Sequence, residues 1–201
     1  MTDPQTPNEP IKVLRGRETF LRAPERDDIP RFVRWMNDER TVRFLAARSP
    51  LGQALEEQWF ERMIERQGRD SWFFVICTLA DERPIGTTGL FEIDLTNGSA
   101  AIGILIGDPA DQGRGLGTDA MEALLDFGFG ELRLERMWLD TYDFNPRGVR
   151  SYEKAGFVHE GTLRHAIYRR RRHVDVLRMA ILRSEWAGRR AANPFPDGAD
   201  A

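Results

Sequence analysis

The segment Asp111-Gln112-Gly113-Arg114-Gly115-Leu116-Gly117-Thr118 gathers glycine, a cation and a hydroxyl into one short stretch. Glycines at 113, 115 and 117 carry no Cβ, so the backbone there can lie against a ligand and turn its N–H groups toward it. A helix beginning near Gly115–Thr118 adds unpaired N–H donors and the positive end of the helix dipole. Such a site favours a phosphate or pyrophosphate. Arg114 places a cation beside this cradle and Thr118 a hydroxyl. An ATP-type loop would end in Gly-Lys-Ser/Thr, and a dinucleotide fingerprint would read G-x-G-x-x-G after the first strand of a parallel unit. Neither fits. A glycine-rich helix entry without a ligand is the plainer alternative.

Other reactive side chains are sparser. The single cysteine, Cys77, lies in the apolar run Trp72–Cys77 and reads as core filler. Glu92 and Asp94 share one face of a strand pattern, and Glu160 falls on a later one. His165 and His173 flank the run Arg169-Arg170-Arg171-Arg172. That run reads as a solvated hairpin, with an acidic partner or a ligand phosphate as alternatives.

These residues need a scaffold. A strand is expected at Thr19–Arg22, then a helix with Asp27 or Asp28 as cap and Ile29, Phe32, Val33 and Met36 on one face. A second helix opens at Ser49-Pro50, with Leu55, Trp59, Phe60 and Met63 as its apolar stripe. Glu56, Glu57, Glu61 and Glu65 fall on its other face and read as solvated. Strands at Trp72–Thr78, Ile85–Leu95 and Ser99–Gly107 form an antiparallel meander, the last two joined through the hairpin signal Asn97-Gly98. Met121, Leu124 and Leu125 line the helix that follows the glycine loop, and a strand follows at Arg136–Tyr142. The next helix runs Pro146–Ala155, with Asn145 as N-cap and Gly156 just past its end. Strands near Phe157–Leu163 and His173–Leu182 close the chain. This order makes an α+β (mixed α/β) domain. Residues 1–12 and 187–201 read as flexible tails around a single domain at 13–186. With 41% hydrophobic and 30% charged residues, the composition is that of an ordinary globular enzyme. A net charge of -3 gives no reason to expect nucleic acid or an anionic membrane surface. No signal-type segment or membrane span is evident, so a cytoplasmic protein is expected.

Gln112-x-x-Gly115-x-Gly117 after an apolar strand resembles the acyl-CoA-binding signature Q/R-x-x-G-x-G/A of the GNAT superfamily of N-acetyltransferases. Downstream, Asn145-Pro146 followed by Tyr152-Glu153-Lys154-Ala155-Gly156-Phe157 is similar to the family's second motif. Glu160-Gly161, Arg164, Tyr168-Arg169 and Asp175-Val176-Leu177-x-Met179 resemble the closing strands of the branch holding ribosomal-protein alanine and spermidine N-acetyltransferases. The resemblance implies the GNAT fold, a mostly antiparallel central sheet with a splayed strand pair and flanking helices. It implies acetyl-CoA as cosubstrate and no metal. It places the pantetheine arm along Ile104, Leu105 and Ile106, and the pyrophosphate on Gln112, Gly113, Arg114, Gly115, Leu116 and Gly117, with Thr118 at the edge. Asn145 would meet the cofactor near the pantetheine end, and Tyr152 would point at the sulfur and protonate the departing thiolate.

The implied reaction is acetyl transfer to a primary amine: a protein N-terminus, a polyamine or another small amine. A non-catalytic acyl-CoA-binding module is the alternative, and relatives' pairing leaves a homodimer open. An amine arriving as ammonium must lose a proton before it attacks. Related sequences often read A-E-I-G on the strand before the signature, whereas this one reads Ala100-Ala101-Ile102-Gly103, so Ala101 stands where the acid is expected. Glu92 is the favoured base, with Asp94 and Glu160 behind it.

Overall fold

The computed structural model describes residues 14–46, 50–169 and 171–194. The proposed tail 1–12, Ser49, Arg170 and residues 195–201 lie outside them. Eight strands form one sheet: β1 Leu14–Arg15, β2 Thr19–Arg22, β3 Trp72–Thr78, β4 Pro84–Asp94, β5 Ser99–Ile106, β6 Arg136–Tyr142, β7 Val158–Arg169 and β8 Arg172–Leu182. Six α-helices accompany it: α1 Ile29–Met36, α2 Glu39–Val42, α3 Gln53–Arg66, α4 Leu116–Asp126, α5 Pro146–Ala155 and α6 Arg183–Ala192. The strand order is β1-β2-β3-β4-β5-β6-β8-β7. Every pair is antiparallel except β5–β6, whose connection through α4 supplies the long crossover that a parallel pair requires.

Both faces of the sheet are covered, which explains the unbroken apolar run of β3. Phe74 and Ile76 join a core with Leu116, Met121 and Leu124 of α4. The alternate residues Phe73, Val75 and Cys77 join a second core with Phe32 and Trp35 of α1 and Phe60 and Met63 of α3. The period of two thus sends consecutive residues of β3 into separate cores.

The feature that positions a ligand is a failure of pairing. β5 meets β6 only through Ser99, Ala100 and Ala101, opposite Arg136, Met137 and Trp138. Beyond Ala101, β5 stays with β4 as far as Ile106, while β6 stays with β8 as far as Tyr142. The two strands diverge, and one edge of β5 from Ile102 onward has no strand partner on that side. Backbone groups so exposed within a fold call for another partner. One finds it in the protein: the Gln112 side-chain amide donates to the Ile106 carbonyl at 2.9 Å.

Several elements differ from the sequence reading. α6 continues to Ala192, so the first part of the expected 187–201 tail is helical; Trp186 anchors it by donating to Asp126 at 2.8 Å. Asn97-Gly98 lies in a four-residue connection, in which the Asp94 carboxylate accepts the Asn97 N–H at 3.0 Å. β7 runs on to Arg169, well beyond the expected end at Leu163, and is exposed along most of its course. On α3 the inward stripe is Glu56, Phe60 and Met63, while Leu55 is 48% exposed. The expectation of a solvated Glu56 is corrected accordingly: positions i, i+4 and i+7 share the buried face, and Glu56 is the first of them.

Candidate active site

The glycine loop is built by its backbone. Gly113 and Gly115 have φ of +80° and +90°, a left-handed conformation that other residues adopt at a cost. A Cβ at either would meet nothing within 4 Å, so conformation and not crowding selects glycine there. Gly115 is also the N-cap of α4, whose first N–H groups therefore open toward the loop. Asp111, 3% exposed, fastens the loop to the rest of the fold. It accepts both guanidinium nitrogens of Arg83 at 2.8 Å, and Arg114 approaches it at 3.3 Å. The Arg83 guanidinium holds the Asp111 carboxyl below the usual carboxylate range.

α5 forms the opposite wall. Asn145 caps it, accepting the Gly148 N–H at 3.1 Å, and its own amide donates to Thr141 at 3.3 Å. Gly156, with φ of +100°, ends it. Thr118 and Ser151 hydroxyls lie 2.9 Å apart and tie α4 to α5. Arg147 reaches across to the Gln112 side-chain carbonyl at 2.5 Å.

Between these walls and the free edge of β5 lies a cleft of about 420 Å³. It brings together Ile104, Leu105, Ile106, Gln112, Gly113, Gly115, Gly117, Thr118, Asn145 and Tyr152 from the sequence reading. Arg114 stands just outside the lining, held by Asp111; Leu116 is buried in the core beneath, so only its backbone is available to a ligand. Tyr152 packs edge-on to Phe157 at 6.2 Å between ring centroids, and burial pushes its phenol up to about 12.

Three cationic residues of the cleft escaped the sequence reading as site residues: Arg147, Arg150 and Lys154. Their spacing i, i+3, i+7 on α5 is the signal that marks one helix face. From the other side, Thr41, Phe44 and Leu45 close the mouth. Arg169 holds that arm in place by donating to the Val42 and Leu45 carbonyls at 2.7 Å each, so the first arginine of the basic run is engaged within the fold.

The structure does not bring the proposed bases into the cleft. Glu92 is exposed at a β-bulge with φ of +51° and is absent from the lining. Asp94 is engaged with Asn97 through hydrogen bonds that lower its pKa. Glu160 pairs with Arg136, which lowers its pKa likewise. His165 and His173 stack on each other at 5.8 Å, away from the cleft.

A second cavity, also about 420 Å³, lies on the α1/α3 side of β5 and shares only Leu45 and Leu105 with the first. Phe32, Trp35, Trp59 and Phe73 supply its aromatic walls and Glu56 a carboxylate. Trp59 meets Phe73 edge-to-face at 5.1 Å. Trp35 packs over Gly107, where any Cβ would collide with the indole at 2.1 Å.

The arrangement can seat an extended polar ligand along the β5 edge, with its anionic end on the glycine loop and a phenol at its other end. Known acetyltransferases resemble this chain in sequence and fold. A family model described as an acetyltransferase (GNAT) domain matches residues 18–158. The spermidine N(1)-acetyltransferase of Vibrio cholerae is 33% identical over 171 residues, covering 84% of this chain and 95% of that one. A putative ribosomal N-acetyltransferase of Bacillus subtilis is 31% identical over 110 residues, 55% of this chain and 60% of that one. The crystal structure of the Vibrio cholerae spermidine N-acetyltransferase in complex with CoA and spermine matches with a TM-score of 0.78 at 29% identity, over 85% of this chain and 98% of that one.

Proposed function

This chain belongs to the GNAT acetyltransferase family and transfers an acetyl group from acetyl-CoA to an amine, and we propose that Tyr152 serves the departing sulfur while the glycine loop and the β5 edge hold the cosubstrate. The observation that carries the reading is the divergence of β5 from β6 beyond Ala101, directly beside the loop and Tyr152. An amide-bearing arm along Ile104, Leu105 and Ile106 satisfies the exposed strand edge as a further strand would. The pyrophosphate fits the N–H groups at Gly113–Gly117 and the start of α4. Arg114, Arg147, Arg150 and Lys154 give the anionic end counter-charge.

Acetyl-CoA supplies the activated acyl carbon. The neutral amine attacks it; the new C–N bond forms as the C–S bond breaks. The attacking nitrogen loses one proton, and the sulfur gains one. Tyr152 is the donor on the sulfur side, since its phenol stays protonated throughout the neutral range. Among the described residues no cluster of His, Cys, Asp and Glu suited to a metal is present. No helix among them is long and apolar enough to cross a membrane. We read the compartment as the cytoplasm, in keeping with the buried free thiol of Cys77.

The test is thiol release from acetyl-CoA across a panel of polyamines, amino acids, amino sugars and N-terminal peptides, with wild type and Tyr152→Phe. Amine-dependent release in the wild type and its loss in the variant support the reading. No release with any amine, together with retained CoA binding, would favour the non-catalytic binder.

A further inference from the structure

Glu56 is only 6% exposed and lines the second cavity, whose lining also includes Trp35; among the described residues the Trp35 indole Nε1 is the one buried side-chain polar atom without a hydrogen-bond partner. Holding a carboxylate largely out of water is costly, and burial raises the pKa of Glu56. A cationic group in the cavity would offset that cost. Apart from Glu56, Arg62 and Thr87, the cavity lining is apolar, with Phe32, Trp35, Trp59 and Phe73 as its aromatic walls. Aromatic faces beside a carboxylate suit an organic ammonium, by charge and by cation–π attraction. The cavity touches the cosubstrate cleft through Leu105, on the strand whose edge receives the pantetheine arm, so it approaches the thioester from the opposite side of β5.

From these features we propose that this aromatic cavity is the acceptor site, and that its substrate is an amine with a single ammonium and a bulky apolar body rather than a polyamine. The inference rests on the acetyl-transfer reading above. A polyamine carries several ammonium groups along a thin chain and needs a carboxylate for each. Among the described residues lining the cavity, Glu56 is the one acid, and Arg62, also in the lining, adds positive charge that disfavours a polycation. The four aromatic rings give area to an aryl or branched alkyl body, which a thin, heavily hydrated polyamine would not fill. Relatives named for spermidine share the fold.

The experiment pairs turnover with binding on the full-length protein. Thiol release is measured with phenethylamine, tryptamine and spermidine, and phenethylamine affinity is measured by calorimetry with CoA present. The expected result is a kcat/KM at least tenfold higher for the arylalkylamines than for spermidine. Glu56→Gln keeps the shape and removes the charge; it should weaken phenethylamine tenfold or more, leave CoA affinity unchanged, and leave Tm unaltered or higher. Trp59→Leu, the second variant, should weaken the same amine with CoA affinity intact. Preference for spermidine, or phenethylamine affinity unchanged in both variants, would overturn the assignment. Absence of turnover with any amine, combined with Glu56-dependent phenethylamine binding, would remove acetyl transfer and keep the cavity assignment. Turnover with Glu56-independent affinity would do the reverse.

Discussion

Tyr152 shows how its burial bears on the chemistry. A phenol at about 12 is a weaker acid than a free thiol near ~8.5, a gap of roughly 3.5 units or ~5 kcal/mol against full transfer to a solvated thiolate. The same apolar surroundings raise the thiol as the sulfur departs, because burial disfavours every charged form. In the proposed role, Tyr152 would therefore work as a hydrogen-bond donor whose proton moves as charge develops. Tyr152→Phe should lower kcat by about 10²–10⁴-fold with little change in KM for acetyl-CoA, measured in steady state. Because the working form is the protonated one, the pH profile of kcat should show no falling limb from this residue below pH 10. The stability consequence has a definite sign: the folded-state value of about 12 exceeds the ordinary 10.0, so the stability associated with this phenol is present below pH 10 and lost as pH rises toward 12. Wild type should lose Tm across that interval faster than Tyr152→Phe.

At the scale of elements, the glycine loop and α4 act as one unit. Gly115→Ala adds a Cβ that touches nothing but forces a left-handed alanine at the helix cap. It should cost about 1–2 kcal/mol of stability by denaturant titration and raise KM for acetyl-CoA several-fold, with kcat at saturation less affected. This loop was readable in the sequence because glycine spacing reports backbone geometry directly. α5 was equally readable, since Asn145, Pro146 and Gly156 mark both ends by local chemistry. α6 was not: Arg, Gly and Ala between Trp186 and Ala192 carry no stripe, and Trp186 holds the helix through Asp126, sixty residues earlier. The length of β7 was hidden for a similar reason, because its exposed edge shows no alternation of apolar and polar residues. Glu56 was placed on the wrong face because carboxylates are normally exposed; its spacing to Phe60 and Met63 held the correct signal. The absence of Glu92 from the cleft was beyond the sequence as well, since strand alternation sets a face but not the bulge that redirects it.

The whole molecule is two cores on opposite faces of one sheet, with a cosubstrate cleft opened where the sheet parts. Asp111 and Arg83 bind the loop to the β3–β4 turn across the molecule. Asp111 titrates below its ordinary value, so the stability it contributes is present above the ordinary carboxylate range and lost as pH falls through its lowered folded-state value. Asp111→Asn should flatten that acid loss. Because the cleft draws on β5, α2, α4 and α5 together, CoA at 100 times its Kd should stabilise the fold by about 2.7 kcal/mol, or roughly 5–10 °C in Tm for a chain of this size. An unchanged Tm at saturation would deny the cleft its ligand. The most direct test of the central claim is mass spectrometry of the acceptor after incubation with acetyl-CoA, alongside thiol release, in wild type and Tyr152→Phe. The account predicts one acetyl group on the amine nitrogen for each thiol released in the wild type, and a loss of at least a hundredfold in rate in the variant. Thiol release without an acetylated amine, or an undiminished rate in Tyr152→Phe, would contradict it.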